Sequence, residues 1–235
     1  MRSKRTFEPV EVDSTRQRIL VAAERLFARD GIERTTMRAI TREAGTNLAA
    51  VNYHFGSKDR LTKAVFDDLA HTTARSRLRR LDELRARQPG RPLAIRDVIE
   101  TFMAPYIGED DSRHGALLVK LILQHRATPT AVTRRIVASH FDRLAETFIG
   151  AIAEALPDLD RATASWRYYL AVGTIVFAAS DRAPGGRLEK ISGGTASTAD
   201  REQLVGQLTD FLIGGMAAPS AARRRSPRLP TRRSA

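Results

Sequence analysis

The residues with the most chemistry to offer stand close together between Thr36 and Lys58. Asn47, Asn52, Tyr53, His54 and Lys58 supply hydrogen-bonding groups and a fixed positive charge, and the pair Ala49-Ala50 lies among them. On a helical wheel, Val51 and Phe55 face inward and Ala49, Ala50 and Tyr53 face outward, with Leu48, Asn52 and His54 at the edges. Small outward side chains let a backbone approach another surface closely. Amide and hydroxyl groups beside them can then bond to base edges or phosphates, which is what a helix entering a DNA major groove must do. Leu48 and the alanines suit thymine methyls, Asn52 a base edge or a phosphate, and Tyr53 and His54 phosphates. Lys58 and Thr36 both fall at helix starts, where free backbone N–H groups favour an anion. Plainer roles stay open: surface packing for Tyr53, a satisfied structural imidazole for His54, a solvated charge for Lys58.

Other chemistries find little support. The five histidines, at 54, 71, 114, 125 and 140, lack metal-ligand spacing, and there is no cysteine. Neither a G-x-S-x-G nucleophile turn nor a phosphate-binding glycine loop is present. The expectation is a protein that is not an enzyme and holds no metal or cofactor.

Charge points the same way as the Thr36–Lys58 segment. The net charge is +12, and it is unevenly spread. Residues 1–100 carry 21 Lys/Arg against 14 Asp/Glu, residues 101–218 carry 12 against 13, and residues 219–235 carry 6 against none. Positive ends around a neutral middle suit a chain whose N-terminal part meets a polyanion. The Arg bias, 34 Arg to 5 Lys, is equally what a GC-rich coding sequence would give.

Several elements must position the Thr36–Lys58 residues. Residues 1–13 lack periodicity and are expected to form a flexible arm. Ser14 with Gln17 reads as a capping box. Behind it Ile19, Ala22, Ala23, Leu26 and Phe27 share one helical face, which Gly31 ends. Thr35 or Thr36 caps a second helix carrying Met37, Ile40, Thr41 and Ala44. Asn47 caps a third, and Ser57 a fourth with Leu61, Val65 and Leu69 inside. Two short helices joined by a turn at Gly45 make a helix-turn-helix, placed at residues 14–60. Residues 61–218, with a break at 88–92, read as further helices, so the fold class is all-α: a three-helix DNA-binding domain followed by a helical ligand-binding and dimerisation domain. Residues 183–199, rich in Gly, Ser and Thr, read as a mobile loop. Residues 219–235, rich in Arg and Pro, read as a disordered tail that serves either DNA phosphates or solubility. No apolar h-region marks a signal peptide, and the stretch from Tyr168 to Ala179 is too short for a membrane span, so a cytoplasmic protein is expected.

Residues 16–69 closely resemble the N-terminal domain of the tetracycline-repressor family. The shared elements are A-x-x-L-F-x-x-x-G (23–31), T-T-x-x-x-I (35–40), E-A-G (43–45) and Y-H-F-x-S-K-x-x-L (53–61). The resemblance implies a homodimeric transcriptional regulator, its DNA contacts mapping onto Thr36, Asn47, Leu48, Ala49, Ala50, Asn52, Tyr53, His54 and Lys58. Many members carry tyrosine where this chain has Asn52, which alters the group met there. The resemblance also implies dimerisation through the last two helices, with Phe177, Leu208, Phe211, Gly214 and Gly215 against their copies. It implies a small-molecule effector in the C-terminal helices that releases the protein from a palindromic operator. NLAAVNYHFGSK, the L-x-x-x-I-x-Q-H region (118–125) and the F-L-I-G-G-M ending look like the branch that includes fatty-acid-responsive repressors, so a fatty acid or acyl-CoA is one candidate. Candidate lining residues are Tyr106, Leu118, Ile122, His125, Phe141, Phe148 and Trp166, with His125 and Trp166 as polar anchors, although the same apolar residues would serve any helical core. An activator or a helical protein-binding adaptor are the rival readings.

Overall fold

A computed structural model describes residues 10–107, 113–182 and 184–219. Ten helices fill them: α1 (Val10–Asp30), α2 (Met37–Glu43), α3 (Leu48–Phe55), α4 (Lys58–Arg87), α5 (Ile95–Met103), α6 (Arg113–Ala127), α7 (Ala131–Ala155), α8 (Arg161–Ser180), α9 (Arg187–Ile191) and α10 (Arg201–Ala217). No strand occurs among the described residues. Helix α1 begins at Val10, ahead of the capping box expected at Ser14. No Gly or Pro interrupts the sequence from Val10 to Asp30, so nothing there stops the helix from extending. The remainder of the expected arm, and the tail from residue 220, lie outside the described residues.

The chain divides into two compact units. The first contains residues 1–77 and 103–143, so the helix-turn-helix groups with α6 and the first part of α7 as well as with the start of α4. Its core is built from Ile19, Leu20, Ala23, Leu26 and Phe27 of α1, Ile40 of α2, Val51 and Phe55 of α3, and Leu61 and Val65 of α4, all buried. Burying each large side chain here contributes on the order of 1.5–3 kcal/mol. That holds α2 and α3 in place, since seven- and eight-residue helices are marginal alone. Leu117, Leu118 and Leu121 of α6 are wholly enclosed, but Leu123 is exposed, so α6 is apolar on more sides than it buries. Two histidine–carboxylate contacts tie later helices to earlier ones in this unit: His114 Nε2 lies 3.1 Å from Glu24 of α1, and His140 Nε2 lies 2.9 Å from Asp67 of α4. Arg77 is buried with its guanidinium 4.5 Å from the Tyr106 ring centroid.

The second unit contains residues 78–102 and 144–235. Phe102 packs edge-on against Phe148 (5.0 Å) and Tyr168 (5.2 Å). Leu204, Leu208, Leu212 and Met216 of α10 are buried, whereas Phe211 and Gly215 are exposed. Asp160 caps α8, its Oδ1 accepting from Thr163 N at 2.7 Å, and these backbone hydrogen bonds hold its carboxyl below the usual range. Arg167 of α8 donates to the Met216 and Ala218 carbonyls at the end of α10.

The segment expected as a mobile loop is built around one carboxylate. Asp181 accepts from Arg187 N (2.8 Å) and Leu188 N (3.0 Å), the first turn of α9. Those two backbone donors lower its pKa, aided by Thr198 and Lys190. Glu189 Oε2 accepts from Gly185 N and Ser197 Oγ, and Gln203 Oε1 from Ser197 N. Gly186 is required by proximity: a Cβ there would lie 2.6 Å from the Asp181 carbonyl oxygen. Small, polar residues lowered the expected order of this stretch, but they are the hydrogen-bond partners that fix it.

Candidate nucleic-acid interface

The interface is assembled from caps. Thr36 adopts extended backbone angles, and its hydroxyl accepts from Ala39 N at 3.1 Å, starting α2. Asn47 does the same for α3, its Oδ1 accepting from Ala50 N at 2.8 Å. Ser57 Oγ accepts from Arg60 N at 3.2 Å and starts α4. Each cap satisfies a backbone donor that a helix end would otherwise leave open. Gly56 closes α3 at φ +73°, where an L side chain would be strained, and turns the chain directly into α4.

With these ends fixed, α3 presents one face inward and one outward. Val51 and Phe55 are buried. Ala49 and Asn52 are exposed, Leu48 is 43 % exposed and Tyr53 82 %, while Ala50 and His54 are half-buried. The Tyr53 and His54 rings meet edge-on at 5.2 Å. The exposed surface thus combines one short side chain, one branched apolar group, one amide and one phenol, with no acidic group on the helix. Lys58 is held more firmly than expected of a free cation. Its Nζ donates to the Glu33 carbonyl oxygen at 3.1 Å, across 25 residues of sequence. This contact fixes the start of α4 to the α1–α2 loop.

Two family models match the chain. "Bacterial regulatory proteins, tetR family" covers residues 19–65 and "Tetracyclin repressor-like, C-terminal domain" covers residues 100–215. The chain belongs to the tetracycline-repressor family. Among its relatives, the HTH-type transcriptional regulator TtgR of Pseudomonas putida is 41% identical over 62 residues, 26% of this chain and 30% of TtgR. AcrR of Shigella flexneri is 28% identical over 156 residues, 63% of this chain and 69% of AcrR. The chain therefore spans under a third of TtgR and about two thirds of AcrR. Among solved structures, the fatty acid degradation regulator FadR from Bacillus halodurans superposes with a TM-score of 0.59 at 13% identity, covering 92% of this chain and all of that one. At that identity the likeness is one of fold.

The tetracycline-repressor family is one of DNA-binding transcriptional regulators, and the segment matched by its N-terminal model contains α2 and α3 whole. The seven lining candidates of the C-terminal helices are distributed over both units. Tyr106, Leu118, Ile122, His125 and Phe141 belong to the first, and Phe148 and Trp166 to the second. Tyr106, Leu118 and Phe148 are buried. His125 Nδ1 meets Thr133 Oγ1 at 3.3 Å, which occupies one ring nitrogen in the α6–α7 turn. Trp166 is 66 % exposed on the outer side of α8, beside Tyr169, and so faces away from the core of its unit. Among the described residues no helix is long and apolar enough to cross a membrane, and no cluster of metal-binding side chains occurs.

Two arginines at the end of α3 escaped the sequence reading. Arg16 of α1 stands with its guanidinium carbon 5.6 Å from the Phe55 ring centroid. Arg60 of α4 lies with Nη1 3.5 Å from where a Cβ would sit on Gly56. The spacing of arginines on α1 and α4 gives no hint that these two meet the same helix end.

Proposed function

We propose that the protein is a ligand-released repressor that binds a palindromic operator as a homodimer, acting in the cytoplasm where its DNA lies. The observation that carries this reading is the outward face of α3. A helix capped at both ends presents Leu48, Ala49, Asn52 and Tyr53 to solvent from a buried scaffold. Leu48 and the alanines meet thymine methyls, Asn52 a base edge, and Tyr53 and His54 phosphates. Thr36 and Asn47 contribute backbone N–H groups by ordering the helix starts beside which phosphates sit. Lys58 supplies charge from its anchored position.

An inverted-repeat operator needs a two-fold symmetric reader. Support for the dimer comes from α8 and α10. Trp166, Tyr169, Leu170, Gly173 and Phe177 fall at i, i+3, i+4, i+7 and i+11 on α8, all exposed, with Phe177 at 77 %. Phe211, at 67 %, and Gly214 and Gly215 are exposed on α10. A single subunit leaves this apolar face to water, and a second copy covers it. Leu208 is excepted, being buried within its own unit. The effector is an acyl-type ligand, a fatty acid or acyl-CoA, received among the apolar groups of the C-terminal helices; Trp166, exposed on α8, belongs instead to the dimer face. Ligand weakens DNA binding by preferring a conformation whose two α3 helices are wrongly spaced.

The test is selection from a random-sequence double-stranded DNA pool by the purified protein at physiological salt. An enriched inverted repeat bound by two chains supports the reading. A pool that remains random after repeated rounds overturns it.

A further inference from the structure

We infer that Arg16 and Arg60 form a phosphate clamp at the C-terminal end of α3, setting how deeply and at what angle that helix lies in the major groove. The inference rests on α3 being the groove-entering helix. Helix α3 has eight residues and is thus about 12 Å long at 1.5 Å per residue. A recognition helix places its N-terminal residues on base edges. Its far end, one helix length away, then lies toward the strand backbone, so whatever stands there meets phosphates rather than bases.

Both guanidiniums stand at that end. Arg16 is held over the Phe55 ring, the last residue of α3, at a distance where the ring face attracts a cation. Arg60 lies beside Gly56, the next residue, its Nη1 3.5 Å from where a Cβ would sit. Arg16 and Arg60 are exposed, and no carboxylate lies within ion-pair distance of either among the described contacts. They come from different helices, α1 and α4, so together they brace α3 from both flanking elements. Arg is suited to the task because its planar fork can take two phosphate oxygens at once. Both stand at the Phe55–Gly56 end of α3, with Leu48 and Ala49 in its first turn, so the pair positions the helix and leaves base reading to other residues.

The experiment measures operator affinity against salt for wild type, R16Q, R60Q, the double glutamine variant and the double lysine variant, on the operator selected above. Each phosphate contact contributes about 0.9 to the slope of log K against log salt, and each arginine occurs twice in a dimer. The slope should fall by about 1.8 for each single variant and about 3.6 for R16Q/R60Q, while R16K/R60K retains the wild-type slope. Relative affinities for single-base-pair operator variants should stay as in wild type. An unchanged slope in R16Q/R60Q overturns the clamp. So does a lowered melting temperature for R16Q with an unchanged slope, which would confine Arg16 to covering Phe55. Wild-type protein that selects no sequence would sink the reading of α3 instead, which keeps the two failures distinct.

Discussion

Removing the cap of α3 tests how this interface is held in shape. In N47A the Ala50 backbone donor loses its 2.8 Å acceptor, while the rest of the helix is untouched. Loss of an N-cap costs about 1 kcal/mol. For a chain of this size that corresponds to a fall in melting temperature of about 2–4 °C. The effect on DNA binding is larger, because the first turn of α3 carries Leu48, Ala49 and Ala50 and an eight-residue helix has few other bonds to resist fraying. If both copies must re-form that turn on the operator, the combined cost of about 2 kcal/mol lowers affinity about 30-fold. Thermal unfolding and operator titration of N47A and N47S measure both quantities. Serine can cap, so N47S should keep the melting temperature near wild type. A melting temperature unchanged in N47A, or lowered equally in N47S, would refute the capping account. N47S that melts normally yet loses as much DNA affinity as N47A would give Asn47 a direct DNA contact.

Three further outcomes are expected. Placing aspartate at both Phe177 and Phe211 puts charge in the middle of the exposed apolar face and should raise the dimer dissociation constant by about 100-fold or more, read by sedimentation; a dimer of unchanged strength would remove α8 and α10 from the interface. Asp181 has a folded pKa depressed by the Arg187 and Leu188 donors, so its contribution is present above the unfolded carboxylate pKa and is lost as pH falls through the folded one. Amide-exchange protection of α9 should accordingly weaken at acid pH, and D181A, which removes both acceptors, should lower that protection at neutral pH; protection that is independent of pH and of this substitution contradicts the account. Deleting residues 219–235, with their six arginines, should flatten the salt dependence of DNA binding, and an identical slope would leave the tail no phosphate contacts.

The parts of the fold legible in the sequence are those set by local chemistry. Thr36, Asn47 and Ser57 could be named as caps because a cap is decided within three residues. Inner faces on α1, α3 and α4 followed from periodicity alone, as the burial of Ile19, Phe27, Val51, Phe55, Leu61 and Val65 shows. What periodicity does not contain is which apolar face meets the subunit's own core. Phe211 and Leu208 are three residues apart, yet one is exposed and the other buried. The order of the segment around α9 depends on Asp181 reaching six and seven residues along the chain, beyond any local signal. Lys58 finding the Glu33 carbonyl, and Arg16 and Arg60 meeting at one end of α3, are likewise products of tertiary packing.

The central claim, that α3 reads base edges, is tested most directly by repeating the random-DNA selection with L48A and N52A. Both side chains are exposed on α3, so each substitution removes a DNA-facing group without opening the core. The account predicts an inverted repeat that has lost or changed its base preference at one symmetric pair of positions for each variant. A consensus identical to wild type in both variants, bound with wild-type affinity, would contradict it.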